Sequence, residues 1–175
     1  CKNAIFYQIF PEGFYNGDKS NDPAEVQRWG TKPYSNSFFG GDIKGIISKL
    51  DYLKDLGVNA IYLTPIFLSN SNHKYDIIDY YKIDPHFGTL DDMKELVSQA
   101  HNRGIKIVLD AVFNHCSNEN KIFMDVVKNG QRSVYADWFY IREFPVQTKP
   151  EPNYETFGVN IPNMPRLNTS NPKVR

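Results

Sequence analysis

The sequence predicts an α/β fold in which helices cover a parallel β-sheet. Three short runs, at 4–10, 58–63 and 105–112, are rich in β-branched and aromatic residues, as are strands buried within a parallel sheet. Between them lie two segments whose apolar residues recur at helical spacing. This order of strands and helices is typical of barrels and of open α/β sheets. Both architectures gather reactive groups at the carboxyl ends of the strands.

The first strand and the first helix have clear limits. Pro11 stops the first apolar run, and a polar segment follows to about Gly41. Asp42 can cap a helix, and Gly57 lies just past its end. The apolar positions between them are Ile43, Ile46, Ile47, Leu50 and Leu53. A cap, an apolar stripe and a terminal glycine together predict one helix.

The second helix has the same kind of signals. Thr64 and Pro65 end the second strand, and Thr89 with Asp92 resembles a capping box. Gly104 then ends the helix. The third strand is therefore expected to begin directly after this glycine and to be buried.

The segment 114–168 departs from the alternation of strands and helices. It is aromatic and rich in proline, and it is too long for an ordinary connection, so we expect a small subdomain inserted after the third strand. Asn171 as a cap and Pro172 at a first helical position indicate another helix start. The predicted organisation is 1–113 for the first β/α units, 114–168 for the insertion and 169–175 for the start of the next helix.

Composition limits the classes of partner. The chain has 175 residues, 41% of them hydrophobic, and its 20 basic and 20 acidic residues give a formal net charge of zero. This balance argues against nucleic acid and anionic membranes as partners and favours a neutral substrate. No apolar run is long enough to span a bilayer, and no leader opens the chain, which favours a cytoplasmic location.

Cys1 and Cys116 do not make a disulfide framework, and Cys116 is expected to be a small buried residue.

Polar residues follow two of the predicted strands. Asp110, Asn114 and His115 come after the third strand, and Tyr75 follows the second. A carboxylate after an apolar strand is costly to bury unless it is paired, which favours a functional role for Asp110. The alternative is an aspartate that pins the following loop by accepting backbone N–H bonds. Tyr75 could stack on a sugar ring or could be an ordinary loop tyrosine.

Two loops are rich in hard oxygen ligands. Residues 16–22 read NGDKSND, and residues 40–42 read GGD. Calcium takes six to eight oxygens and accepts carbonyls, so this composition suits calcium better than zinc or magnesium. The alternative is a solvated turn rich in Asn and Asp. No phosphate-binding glycine motif is present.

Several motifs resemble those of the α-amylase family of glycoside hydrolases. They are FYQIFP at 6–11, NGDKSND at 16–22, GGD at 40–42, NHKYD at 72–76, IDPHFG at 83–88 and DAVFNH at 110–115. MPRLN at 164–168 further resembles the neopullulanase, cyclomaltodextrinase and maltogenic amylase branch. Arg166 and Gly13 depart from that branch, where lysine and arginine are more usual.

The resemblance implies a fold and a set of binding residues. The fold is the N-terminal part of a TIM (β/α)8 barrel, with about three strands and a subdomain inserted after strand 3. Tyr75 would stack on the sugar at the cleaved bond, Asp110 would support the site, and His115 would donate a hydrogen bond to a sugar hydroxyl. The implied calcium ligands are Asn16, Asp18, Asn21, Asp22, the Gly40 carbonyl and Asp42.

The catalytic carboxylates of such enzymes are not found in this sequence. The retaining scheme uses one carboxylate as nucleophile and a second as acid and base. The family's nucleophile lies in a Gly-x-Arg-x-Asp segment, but here Gly130-Gln-Arg132 is followed by Val134 at the decisive position. A TIM barrel also takes about 250 residues. We therefore expect a fragment, inactive alone, of a retaining hydrolase of α-1,4-glucosidic bonds in starch-derived oligosaccharides, cyclodextrins or pullulan.

Two further expectations follow from an incomplete barrel. Exposed strand edges predict self-association. A non-catalytic α-glucan-binding or regulatory module is the alternative function, and the coding sequence after Arg175 distinguishes the two: a Gly-x-Arg-x-Asp segment favours the enzyme and a stop codon the module.

Overall fold

The computed structural model describes residues 3–175, so Cys1 lies outside the described residues. Strands are β1 (Phe6–Ile9), β2 (Ala60–Leu63), β3 (Phe67–Leu68), β4 (Asp79–Ile83) and β5 (Lys106–Leu109). Helices are α1 (Ile43–Ser48), α2 (Leu50–Asp55), α3 (Leu90–Asn102) and α4 (Lys121–Asn129). The chain divides into two compact units, the first from the described part of 1–74 with 81–110, and the second from 75–80 with 111–175.

The first unit contains the predicted parallel sheet. Its strands lie in the order β1, β2, β5, with Phe6 opposite Ala60 and Ala60 opposite Lys106. The expectation that the third strand is buried is wrong, since Val108 and Leu109 are 37% and 40% exposed. The reason is that β5 pairs only with β2 within the described residues and so forms a sheet edge.

The helix predicted between Asp42 and Gly57 is divided into α1 and α2. Lys49 interrupts it, with a ψ of 5° and a backbone N–H that bonds Ile46 O at 3.0 Å. Asp42 caps α1 as predicted, since its side chain accepts from Gly45 N. Gly57 follows α2 with a φ of +82°, a conformation that favours glycine. The helical stripe holds across the break, because Ile43, Ile46, Leu50 and Leu53 are all fully buried.

Helix α3 confirms its predicted limits. Thr89 and Asp92 form a complete capping box, and Gly104 adopts a φ of +72° after the last turn. Leu96 and Ala100 are fully buried in the core shared with the sheet and with α1. The helix therefore covers the sheet as an α/β fold requires.

The second unit has its own aromatic core. Its centre is Phe123 of α4, whose ring lies 5.0 Å from that of Phe139 and 4.9 Å from that of Tyr154, both edge to face. Cys116 is 1% exposed in this core, which confirms its predicted burial. The sequence did not indicate α4. The bounds 114–168 of the inserted subdomain stay a prediction, because the two compact units do not show which segment is inserted into the barrel.

The last residues form a turn. Asn171 Oδ1 accepts from Lys173 N at 3.0 Å, as a helix cap does, while residues 172–174 are in turn conformation. The predicted helix start therefore has its cap but no assigned helix. None of the helices within residues 3–175 has the length and apolar character needed to cross a bilayer.

Candidate functional site

Asp110 follows β5 in the first unit and is held by β2. Its backbone N–H donates to Leu63 O at 3.0 Å, and its carboxylate accepts a hydrogen bond from the Tyr62 hydroxyl. This bond, with burial and the negative charge of Asp110, raises the pKa of Tyr62. The sequence did not point to Tyr62, although its position near the end of an apolar strand was a signal. The Tyr62 hydroxyl is a side-chain donor, and its bond helps to orient the Asp110 carboxylate.

His115 and Tyr75 lie together in the second unit. His115 is 4% exposed, with Nε2 3.1 Å from the Tyr75 carbonyl and Nδ1 3.3 Å from the Asn114 side-chain amide. A carbonyl only accepts, so this network assigns the proton to Nε2 and leaves Nδ1 to accept from Asn114. A sugar hydroxyl would have to share the Nε2 proton with this carbonyl. The sugar-binding roles of Tyr75 and His115 stay predictions.

The backbone around these two residues is cross-linked by Tyr80. Its hydroxyl reaches the Val112 carbonyl at 2.8 Å and the His115 carbonyl at 2.7 Å. A tyrosine hydroxyl is protonated at neutral pH, and burial raises the pKa of Tyr80 further above its ordinary range. Ser117 N also donates to Ile77 O at 2.9 Å. The segment with Tyr75 is therefore fixed against the segment with His115.

Phe157 is a further residue at this site that the sequence did not indicate. Its ring lies 4.7 Å from the His115 ring at an interplanar angle of 33°, and it is 50% exposed. Its backbone N–H donates to Met164 O at 2.9 Å, and His115 forms a β-bridge with Arg166. Residues 164–168 therefore contact both Phe157 and the backbone of His115.

The oxygen-rich loops bring together several of the predicted calcium ligands. Asn16 Nδ2 donates to Asp22 Oδ1 at 2.6 Å, while Asn16 Oδ1 and Asn21 Oδ1 are buried without a hydrogen-bond partner. Gly40 has a φ of +74°, and a Cβ added to it would come within 2.5 Å of the side chains of Asn16 and Asp22. Only glycine fits there. Two buried, unpaired acceptors suit an oxygen-seeking cation.

The other two predicted ligands have protein partners. Asp42 is fully buried, and its carboxylate accepts from Gly17 N, Asp18 N and Gly45 N. Asp18 accepts from Ser20 and pairs with Lys44 Nζ at 2.6 Å, and this bond holds the pKa of Asp18 well below its usual range. Within residues 3–175, no three His, Cys, Asp or Glu side chains lie together as a metal site. A cation here would rely on amide and carbonyl oxygens, which calcium accepts and zinc disfavours.

Comparison with known proteins decides the family. Residues 8–175 match the model of the alpha amylase catalytic domain. The chain belongs to the α-amylase family. This confirms the predicted fold class, because the parallel sheet described above is the part of the family's barrel that the chain contains.

The relatives lie in the predicted branch of the α-amylase family. A cyclomaltodextrinase of Thermoanaerobacter pseudethanolicus is 60% identical over 99% of this chain, and neopullulanase 2 of Thermoactinomyces vulgaris is 54% identical over 100% of this chain. The chain spans 30% of each. A cyclic α-maltosyl-(1→6)-maltose hydrolase from Arthrobacter globiformis, solved with that sugar, matches 98% of this chain and 39% of its own with a TM-score of 0.92 at 49% identity.

Three buried charged side chains in this α-amylase chain were not indicated by the sequence. Glu12 is 2% exposed and accepts from Phe39 N and Gly40 N, and burial raises its pKa. Lys74 and Asp84 are each 1% exposed and pair at 2.7 Å. An acid directly after the first strand was the available signal for Glu12. The pairing of Lys74 with Asp84 has no local signature.

Proposed function

We propose that the protein containing this chain is a retaining glycoside hydrolase of α-1,4-glucosidic bonds in starch-derived oligosaccharides, cyclodextrins or pullulan. The observation that carries this proposal is the match of residues 8–175 to the alpha amylase catalytic domain. The names of two relatives, cyclomaltodextrinase and neopullulanase, support the substrate class.

Within that enzyme this chain would contribute substrate-binding groups. Tyr75 would stack on a glucose ring through its apolar face. His115, protonated at Nε2 beside the Tyr75 carbonyl, would donate to a sugar hydroxyl by sharing this proton with that carbonyl. Asp110, oriented by Tyr62, would support the site from the end of β5. These side chains bind and orient the sugar, and none of them is proposed to break the glycosidic bond.

The bond-breaking carboxylates are proposed to lie outside these 175 residues. Val134 stands where the Gly-x-Arg-x-Asp pattern requires the nucleophile. The chain alone should therefore bind α-glucans without hydrolysing them.

Turnover tests this proposal. The longer protein and the 175-residue chain are each incubated with β-cyclodextrin and with maltoheptaose, and the products are followed by NMR. We expect the longer protein to release products whose first anomer is α, because two inversions retain configuration. A first product with the β-anomer would disprove retention. Turnover by the chain alone would disprove the assignment of the carboxylates.

A calcium ion is proposed to join the two oxygen-rich loops. Asn16 and Asn21 fit best, because each has a buried side-chain oxygen without a protein donor, and Asp22 and the Gly40 carbonyl would complete the set. The bound ion would supply a structural cross-link between residues 16–22 and 40–42. Asp18 and Asp42 could bind the same ion only through carboxylate oxygens that already accept hydrogen bonds from the protein.

Thermal unfolding with and without calcium tests this ion. At a calcium concentration of about 100 times Kd, a single site adds about 2.7 kcal/mol to the free energy of unfolding. We expect calcium to raise Tm, magnesium to raise it less, and Asn21→Ala to abolish the calcium effect. Asn102→Ala, at the exposed end of α3, is the matched control and should keep it. Equal effects of calcium on both variants would refute the site.

Self-association is proposed through the edges of the parallel sheet. Phe6 on β1 and Leu109 on β5 are 51% and 40% exposed, and both strands pair on one side only within the described residues. Such edges pair with other strands. Light scattering of the 175-residue chain should give a mass above 20.2 kDa that grows with concentration, and a sharp monomer peak would refute this.

A further inference from the structure

A cleft with aromatic walls lies just past β1 in the first unit. It has a volume of about 370 Å³, within the usual range of small-molecule sites. The residues that matter here are Phe10, Glu12, Trp29, Tyr34, Phe39 and Asn72. None of them belongs to the predicted calcium or sugar-binding sets.

The carboxylate of Glu12 gives this cleft an unmet acceptor. The side chain is 2% exposed, and its Oε1 accepts from Phe39 N and from Gly40 N at 2.9 Å. Its Oε2 is buried without a protein donor. Leaving a buried acceptor without a donor destabilises the unliganded protein, and the loss is larger when the acceptor is charged. A ligand that brings a hydroxyl donor would remove this cost.

The aromatic walls supply the second half of a sugar site. Trp29 and Tyr34 are 50% and 58% exposed, large values for aromatic rings that share one cleft. The Trp29 ring rests on Phe39, with centroids 5.7 Å apart. Rings with one face supported and another exposed can stack on the apolar face of a pyranose.

The loop with Tyr34 is held in place before any ligand arrives. Asn72 Nδ2 donates to the carbonyls of Ser35 and Ser37 at 3.0 and 2.9 Å, and Ser37 Oγ donates to Tyr34 O at 2.8 Å. Preorganisation of this kind lowers the entropy that binding must overcome.

We propose that this cleft is a second α-glucan-binding site, in which Glu12 accepts from a hydroxyl of one glucose unit and Trp29 and Tyr34 stack on its ring. The ligand class rests on the proposed function. The site would hold the chain of a long substrate independently of the residues around Tyr75.

Binding of maltoheptaose to the longer protein and to the 175-residue chain tests the inference by calorimetry. We expect Trp29→Ala to weaken binding about tenfold through lost stacking, and Glu12→Gln about three- to tenfold because an amide NH2 replaces the Oε2 acceptor. Tyr52→Ala removes an aromatic ring with a similar exposure, 54%, on α2, and should bind like the wild type. Thermal melts of each variant report whether the fold is kept. Because Trp29 is half exposed, its variant should stay folded even if Glu12→Gln does not.

The outcomes separate this inference from the proposed function. Hydrolysis by the longer protein together with unchanged binding in both cleft variants would refute the cleft and leave the function standing. Weakened binding in both variants, without turnover by the longer wild type, would support the cleft and refute the function. A preference for tetramethylammonium over maltoheptaose would also refute the inference, since an acid among aromatic rings can bind a cation.

Discussion

Replacing Lys74 by methionine should strongly destabilise the first unit. Lys74 Nζ pairs with Asp84 Oδ2 at 2.7 Å and donates to Ser69 O at 3.0 Å, and both charged side chains are 1% exposed. Asp84 also accepts from Ser69 N and His86 N. The methionine would keep the apolar stem beside the Phe87 ring, 5.2 Å from the lysine nitrogen, but would leave Asp84 as an uncompensated buried charge.

The size of the loss follows from this burial. Removing one partner of a buried ion pair costs about 3–5 kcal/mol, a large part of the 5–15 kcal/mol that typically stabilises a domain. The φ of +59° at residue 74 adds nothing to the difference, because lysine and methionine both carry a Cβ. We therefore expect a loss of about 3–5 kcal/mol from this substitution alone.

Urea unfolding followed by circular dichroism measures the loss. Lys94→Met is the matched control, because Lys94 and Asp91 pair at the same 2.7 Å but are 66% and 87% exposed. The control should lose less than about 1 kcal/mol. Adding Asp84→Asn to Lys74→Met should cost less than Asp84→Asn does in the wild type, since the buried charge is then gone. Equal losses for Lys74→Met and Lys94→Met would refute the reasoning.

Three further predictions concern single side chains. Thr89→Ala should lower the free energy of unfolding by about 1 kcal/mol in urea titrations, because it removes half of the capping box with Asp92. Burial raises the pKa of Cys116 from 9.0 to about 12, so the neutral thiol favours folding up to pH 9 and this contribution is lost as the pH rises from 9 to 12. Cys116→Ala should make the fall in unfolding free energy over that range shallower, and an unchanged slope would contradict it. Tyr62→Phe should reduce kcat/KM of the longer protein on β-cyclodextrin about tenfold, since Asp110 loses an orienting bond, whereas unchanged kinetics would contradict that role.

Local signals in the sequence predicted much of the first unit. The Asp42 cap, the terminal Gly57 and the Thr89 capping box each depend on residues within four positions, so these signals can be recognised in the sequence. The break at Lys49 was not readable, because the apolar stripe continues across it. The exposure of β5 depends on how many strands flank it and not on its own residues.

Among the site residues, too, those in local motifs were predicted and those that depend on distant contacts were not. Asp110, His115 and Tyr75 stand in motifs next to strand ends, where the resemblance to a family could be recognised. Tyr62 and Phe157 are ordinary members of their segments until the fold brings them to Asp110 and His115. Contacts between residues 40 or more positions apart carry no local pattern.

The most direct test of the division between binding and bond cleavage is one NMR experiment on the 175-residue chain with β-cyclodextrin. Saturation transfer from protein to sugar reports contact, and new reducing-end anomeric signals report hydrolysis in the same sample. We predict transfer to the glucose ring protons and no reducing-end signal over hours. Reducing ends that form in proportion to the chain concentration, or a sugar that receives no transfer, would contradict it.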